Sequence, residues 1–170
     1  MNIKPLSIDY IGIIGPVILT CTSIFLLVDK PLFLWIYIGG NFINTVINFI
    51  LKILFKDPRP SENSELVQLI LNNGRTVDIN KYGMPSGHSQ SVAFSTIFIY
   101  LVLKNMYIVY FYLIISMITM FQRYKTKKHT IFQIVIGFIV GLIIGYLFFI
   151  IAKNMLKGKI CSKKDDNCFL

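Results

Sequence analysis

The chain contains two histidines, and each stands among hydroxyls, amides and cations beside an apolar run. His88 lies in "YGMPSGHSQSVAF" (82–94), and His129 lies in "QRYKTKKHTIFQ" (122–133) with Arg123 and Gln133. A third polar cluster, "KILFKDPRP" (52–60), carries Lys52, Lys56 and Arg59. Those three cations recur at helical spacing, so they are expected to project from nearly one helix face before Pro58 and Pro60 stop the helix. Such a group suits a multiply charged anion: Arg59 can fork onto two phosphate oxygens while Lys52 acts as a point charge. Snorkelling at a membrane boundary would produce the same pattern. Pro85 fits a helix start, which puts Ser86 at an N-terminus where unpaired N–H groups favour an anion. Gly87 lets a ligand approach the backbone, and His88 follows one turn in. The bland alternative is a capped helix start with a satisfied histidine. His129 and Gln133, four apart, share a face, so the amide oxygen can accept the imidazole N–H and fix its tautomer. Lys125, Lys127 and Lys128 read as headgroup contacts.

The elements that must carry these clusters are membrane helices. Of 170 residues, 55% are hydrophobic and 15% charged, with a mean hydropathy of +0.66. That is too apolar for an ordinary soluble domain. Five apolar runs have spanning length, at about 10–28, 31–51, 86–103, 106–121 and 130–152. The first is expected to be retained rather than cleaved as a leader. The fold class is therefore all-α: a polytopic membrane bundle of about five transmembrane helices. One embedded domain, 1–152, is followed by a basic polar tail, 153–170. Counting crossings brings 52–60, 84–89 and 122–133 to one side of the bilayer. The net charge of +9 flanks apolar segments and does not line a polar module, which excludes nucleic acid and favours phosphates and membrane lipids as partners. The three cysteines have no metal-ligand spacing.

Two histidines with at least three cations and no carboxylate-rich set are a recipe for metal-free phosphoryl transfer. One histidine attacks phosphorus and the other protonates the leaving oxygen. Lys and Arg neutralise the equatorial oxygens.

The three clusters together resemble the signature of the type 2 phosphatidic-acid phosphatase superfamily, which includes the vanadium haloperoxidases: K-x6-R-P, P-S-G-H and S-R-x5-H-x3-D. Lys52, Arg59 and Pro60 fit the first, Pro85–His88 the second, and Arg123 with His129 the third. Gln122 stands at the family Ser and Gln133 at the family Asp. The dolichyl-diphosphate phosphatase branch resembles the chain most closely, in "YGMPS-HSQ" and in "HTIFQIVIG" (129–137), although that branch usually has Ser where Gly87 stands. The resemblance implies His129 as nucleophile, forming a phosphohistidine, and His88 as general acid. It implies phosphate binding by Lys52, Arg59, Ser86, Gly87 and Arg123, orientation of His129 by Gln133, and no metal or cofactor. It also implies a polyprenyl diphosphate substrate and a lumenal site in the endoplasmic reticulum, or the plasma membrane in a prokaryote. Other lipid phosphates as substrate, or non-catalytic binding of a lipid phosphate, fit the residues as well. Gln133→Asp is expected to raise activity on generic phosphates.

Asn41, Asn44 and Asn48 share a face of the second span and are expected to join helices or to line the pocket mouth. Gly137, Gly141 and Gly145 form a small-residue stripe that admits a close neighbour. "SENSELVQLILNNG" (61–74) reads as a short amphipathic helix.

Overall fold

Each helix begins and ends where the local sequence gives a reason. The computed structural model describes residues 7–60 and 81–156, which contain five helices: α1 (Ser7–Leu26), α2 (Pro31–Phe55), α3 (Gly87–Leu103), α4 (Met106–Lys125) and α5 (Ile131–Leu156). Pro31 opens α2, and Lys56 closes it in the left-handed region at φ 48°, its N–H donating to the Lys52 carbonyl. Lys104 closes α3 in the same way, and the side chain of the next residue, Asn105, accepts from the Tyr107 and Ile108 N–H groups to cap α4. A capping box opens α5: Gln133 N donates to Thr130 Oγ1 at 3.2 Å, and Thr130 N donates to Gln133 Oε1 at 3.2 Å. The amphipathic stretch expected at 61–74 lies outside the described residues, as does the tail from 157.

Four of these helices are long and apolar enough to cross a membrane: α1 from Asp9, α2, α4 and α5. The fifth, α3, has 17 residues and occupies the centre. Its buried residues, among them Gln90, Val92, Phe94, Thr96, Phe98 and Val102, lie all around its circumference, as befits a helix enclosed by others. In α2 the buried residues are Phe33, Tyr37, Gly40, Asn44 and Asn48, one stripe at three- and four-residue spacing. The opposite face presents Trp35 (70% exposed) and Phe42 (69% exposed). An apolar girdle of that kind would be a liability in water and suits a bilayer.

Aromatic rings fill the interior. Tyr37 packs against Phe94 and Phe98 at centroid separations of 5.6 and 5.4 Å, and Phe33 meets Phe98 edge-on at 6.4 Å. Buried hydroxyls find partners across helices, Tyr37 with Ser95 at 2.8 Å and Ser23 with Tyr112 at 2.9 Å. The glycine stripe of α5 lies directly on α3: a Cβ at Gly137 would sit 2.5 Å from the Ser86 carbonyl oxygen, and one at Gly141 would collide with the Gln90 carbonyl oxygen. The asparagine stripe of α2 joins helices, as one of its two readings expected. Gln90 Nε2 donates to both the carbonyl and Oδ1 of Asn44 at 2.8 Å, and Asn48 Nδ2 donates to Gln90 Oε1 at 2.8 Å. Asn41 reaches Thr20 of α1 at 3.2 Å.

Candidate active site

The three polar clusters meet at one end of the bundle, and backbone hydrogen bonds hold them there. The loop after α2 and the segment before α3 form a short clasp. Gly83 N donates to the Asp57 carbonyl at 2.7 Å, Arg59 N to the Lys81 carbonyl at 3.1 Å, and Pro58 pairs with Tyr82. Ser86 N then donates to the Gln133 carbonyl at 3.0 Å, tying the start of α3 to the first turn of α5. Asn48 Nδ2 donates to the Pro85 carbonyl at 3.2 Å and steadies the same turn from α2. At the end of α4, Lys128 N donates to the Arg123 carbonyl at 3.2 Å, closing the turn that leads to His129.

One expectation about the first cluster needs correction. Lys52, Lys56 and Arg59 do not share a helix face, because α2 ends at Phe55 and the left-handed Lys56 turns the chain away. Lys56 is exposed. Arg59 reaches the site from the loop, where its Nε lies 3.4 Å from the Tyr82 carbonyl. Lys125 also differs from its reading as a headgroup contact: it forms an ion pair with Asp9 of α1 at 3.1 Å.

All the expected site residues nevertheless gather. Lys52, Arg59 and Arg123 are electrostatically coupled to both His88 and His129. Arg123 is buried, and its Nη2 lies against His88 Nε2 in hydrogen-bond contact. Ser86 is the N-cap of α3 but makes no side-chain cap. Its Oγ is buried without a partner, and so is Arg123 Nε. Gly87 follows at the first helical position, where an added Cβ would stand 3.1 Å from Asn48 Oδ1. The first-turn N–H groups of α3 precede the first intrahelical bond, which Gln90 N makes to the Ser86 carbonyl at 3.0 Å. An uncapped helix start, a buried hydroxyl and a buried guanidinium nitrogen therefore converge, which is an anion-binding arrangement.

His129 is buried at 4% exposure, and its Nδ1 lies 3.3 Å from Gln133 Oε1. An amide oxygen only accepts, so Nδ1 carries the proton and Nε2 keeps the lone pair. Burial, then the Arg59 charge, pushes the imidazole down to about 3, and the Gln133 hydrogen bond opposes them. At neutral pH the ring is therefore uncharged and nucleophilic. Burial, together with Arg123 and Arg59, also lowers Lys128. Gln122, at the family Ser position, is buried with Oε1 unpartnered, and its Cβ and Cγ lie against Gly12 of α1.

Beside His129 a cavity of about 410 Å³ opens, lined by Pro60, Tyr124, Lys127, Thr130, Ile131 and Phe132. Among the described residues no group of three or more His, Cys, Asp or Glu could hold a metal ion.

Three residues that shape the site, Asp57, Gly83 and Gln90, were not assigned to it from the sequence. Asp57 accepts from Gln133 Nε2 at 2.6 Å, and the Pro58 carbonyl accepts from the same nitrogen at 3.0 Å. Gly83 clears the space for that amide, since a Cβ there would overlap it. Gln90 and Asn48 brace the turn behind Ser86. The signal for Asp57 was a lone carboxylate inside a cationic cluster.

Fold and site together define a membrane-spanning helical bundle with two histidines and three cations gathered at one end. The chain belongs to the PAP2 superfamily, whose profile matches residues 33–156 and so takes in every one of those groups. It is similar to the dolichyldiphosphatase of Saccharomyces cerevisiae (strain ATCC 204508 / S288c), 29% identical over 123 residues that cover 66% of this chain and 48% of that protein. The chain thus spans about half the length of this curated relative. No solved structure matches it.

Proposed function

We propose that this chain is an integral-membrane phosphatase that hydrolyses a polyprenyl diphosphate of the dolichyl type to the monophosphate and inorganic phosphate. The observation that carries the reading is the pair of buried, unpartnered donors, Ser86 Oγ and Arg123 Nε, at the uncapped start of α3 between two histidines. A phosphoryl group satisfies both. Lys52, Arg59 and Arg123 neutralise its oxygens, and the Gly87 and His88 N–H groups complete the cradle.

His129 Nε2 attacks phosphorus through its lone pair, and the bond from phosphorus to the bridging oxygen breaks. His88 donates a proton to the departing oxygen, so the polyprenyl monophosphate leaves and a phosphohistidine stays behind. An incoming phosphoryl group competes with His88 for the Arg123 guanidinium, and its negative charge lets the freed imidazole take up from solvent the proton that it gives to the leaving oxygen. Water then attacks the phosphohistidine, giving its proton to His88, and the N–P bond breaks to release phosphate. Lys52, Arg59 and Arg123 are grouped around the histidines and can do the electrostatic work that a divalent metal would do. The cavity beside His129, with Tyr124, Ile131 and Phe132 in its wall, offers an apolar path for the lipid end of the substrate. The yeast dolichyldiphosphatase supports the same substrate class, and by that analogy the membrane is the endoplasmic reticulum with the site facing the lumen.

The test is phosphate release by purified protein in detergent with EDTA present, on polyprenyl diphosphate, polyprenyl monophosphate and phosphatidic acid, beside His129→Ala. Release from the diphosphate alone, abolished in the variant, is expected. Release from all three would make the protein a broad lipid phosphatase. Full turnover by His129→Ala would overturn the histidine mechanism, and binding without release from any substrate would make it a lipid-phosphate binder.

A further inference from the structure

The family pattern has an Asp four residues after the nucleophilic His, and this chain has Gln133 there. A neutral amide can orient an imidazole but adds no negative charge to balance the cation that forms when the ring nitrogen bonds to phosphorus. The carboxylate has not been lost from the neighbourhood. Asp57 Oδ2 accepts from Gln133 Nε2 at 2.6 Å, on the side of the amide away from His129.

We propose that Asp57 is a positioning residue for His129, acting through Gln133 in a His129–Gln133–Asp57 chain that replaces the direct carboxylate. This rests on the phosphohistidine reading above.

Donor and acceptor rules fix which way the Gln133 amide points. Asp57 Oδ2 and the Pro58 carbonyl both accept, so the nitrogen end of the Gln133 amide must face them. The oxygen end then has one place to go, toward His129 Nδ1 and Thr130 N. With the amide flipped, an NH₂ group would face the ring and favour the tautomer that carries its proton on Nε2, the nitrogen needed for attack. Asp57 therefore selects the nucleophilic tautomer at one remove. It also polarises the amide. A carboxylate at the nitrogen end draws the dipole so that the oxygen end is more negative toward the imidazole, where positive charge develops in the transition state. Two further features hold the chain in place without using the Asp57 side chain. The Asp57 carbonyl accepts from Gly83 N at 2.7 Å, and Gly83 itself has no Cβ to displace the Gln133 amide.

On this proposal Gln133→Asp lowers activity, the opposite of what the family pattern leads one to expect. A carboxylate at position 133 would face Asp57 with no donor between them, and like charges in that setting repel.

Kinetics on the full chain test the proposal, with phosphate release from polyprenyl diphosphate and with the two positions exchanged in chemistry. Asp57→Asn keeps the volume and can still accept from Gln133, so the loop stays in place while the charge goes. A drop of about tenfold in kcat is expected with KM unchanged, because Asp57 does not touch the phosphoryl group. Gln133→Glu places two carboxylates together and should lower kcat at least as far. The double variant Asp57→Asn/Gln133→Glu restores a donor–acceptor pair with the negative charge moved next to His129, and it should exceed both single variants by about fivefold or more. A purely structural role for Asp57 would give no such reciprocal rescue. Wild-type kcat in Asp57→Asn, or no recovery in the double variant, would overturn the proposal. Should Asp57→Asn fail to fold, Gln133→Glu and the double variant decide it by the same comparison. Absence of release by the wild-type protein would instead sink the phosphatase reading itself, so the two failures are distinguishable.

Discussion

Gly137→Ala is the smallest change that tests whether helix packing sets the site. The added Cβ would stand 2.5 Å from the Ser86 carbonyl oxygen and 3.1 Å from Ser86 N, where ordinary contact begins at 3.4 Å. Both neighbouring atoms are backbone, so neither can rotate away, and α5 must retreat from α3 by about 0.9 Å at that point. Overpacking of this size costs about 1–3 kcal/mol. The functional effect should be larger than the stability effect suggests. Ser86 N is bonded to the Gln133 carbonyl, so a retreat there separates the turn that opens α3 from the first turn of α5 and from His129. A displacement of about 1 Å at a reacting centre costs on the order of 100-fold in rate. The matched control is Gly39→Ala, where nothing lies within 4 Å of the new Cβ. It should be neutral or slightly stabilising, since Ala is the better helix former. Thermal unfolding in detergent and phosphate release would be measured on both variants. Equal kcat in Gly137→Ala and Gly39→Ala would refute the idea that this contact sets catalytic geometry.

Because the chain has two histidines, His88→Gln leaves one imidazole to follow by NMR in isotope-labelled protein. His129 should stay neutral well below pH 6.5, with a midpoint near the value of about 3 that burial and Arg59 impose, and Arg59→Gln should move the midpoint upward. The sign for stability follows: the unfolded chain takes up a proton at about 6.5 that the folded chain refuses until about 3, so stability falls as pH drops through that window. A midpoint at 6.5 would mean that the ring is solvated. Gln90→Leu removes three hydrogen bonds of 2.8 Å to Asn44 and Asn48 in a fully buried place and should cost about 2 kcal/mol, read as a lower unfolding midpoint. An unchanged midpoint would show that Asn44 and Asn48 find other partners.

The helices were legible because apolar runs bounded by Pro, Gly and polar residues announce themselves, and the topology followed from counting crossings. Ser86, His88, Arg123, His129 and Gln133 converge as the motif spacing required. The failures share one cause. The sequence shows which residues are near in chain order, whereas the clasp between 57–59 and 81–83 joins segments that no periodicity links. Arg59 was read on a helix face because Lys52, Lys56 and Arg59 have helical spacing; the left-handed Lys56 breaks that register and cannot be seen from residue types. Nothing beside Asp57 in the chain points to its role. Its partner is an amide 76 positions away. Gln90 looked like one polar residue in an apolar helix, and only the stripe of Asn44 and Asn48 opposite gives it a role.

The way the clusters are joined also separates holding the site from using it. Backbone groups do most of the holding: Gly83 N on the Asp57 carbonyl, Arg59 N on the Lys81 carbonyl, Ser86 N on the Gln133 carbonyl. That leaves Ser86 Oγ and Arg123 Nε buried without partners, each a cost that a folded chain avoids where it can. Lys52, Arg59 and Arg123 add mutual repulsion in the same place. Such an arrangement is unfavourable alone and favourable around a multiply charged anion, which supplies acceptors to the donors and negative charge to the cations at once. An anion bound there stabilises the fold by mass action, and a phosphoryl group gains charge on its equatorial oxygens in the transition state. On the proposed phosphatase reading, cations and unpartnered donors gathered in one place would serve both binding and rate, with the backbone clasp holding them together.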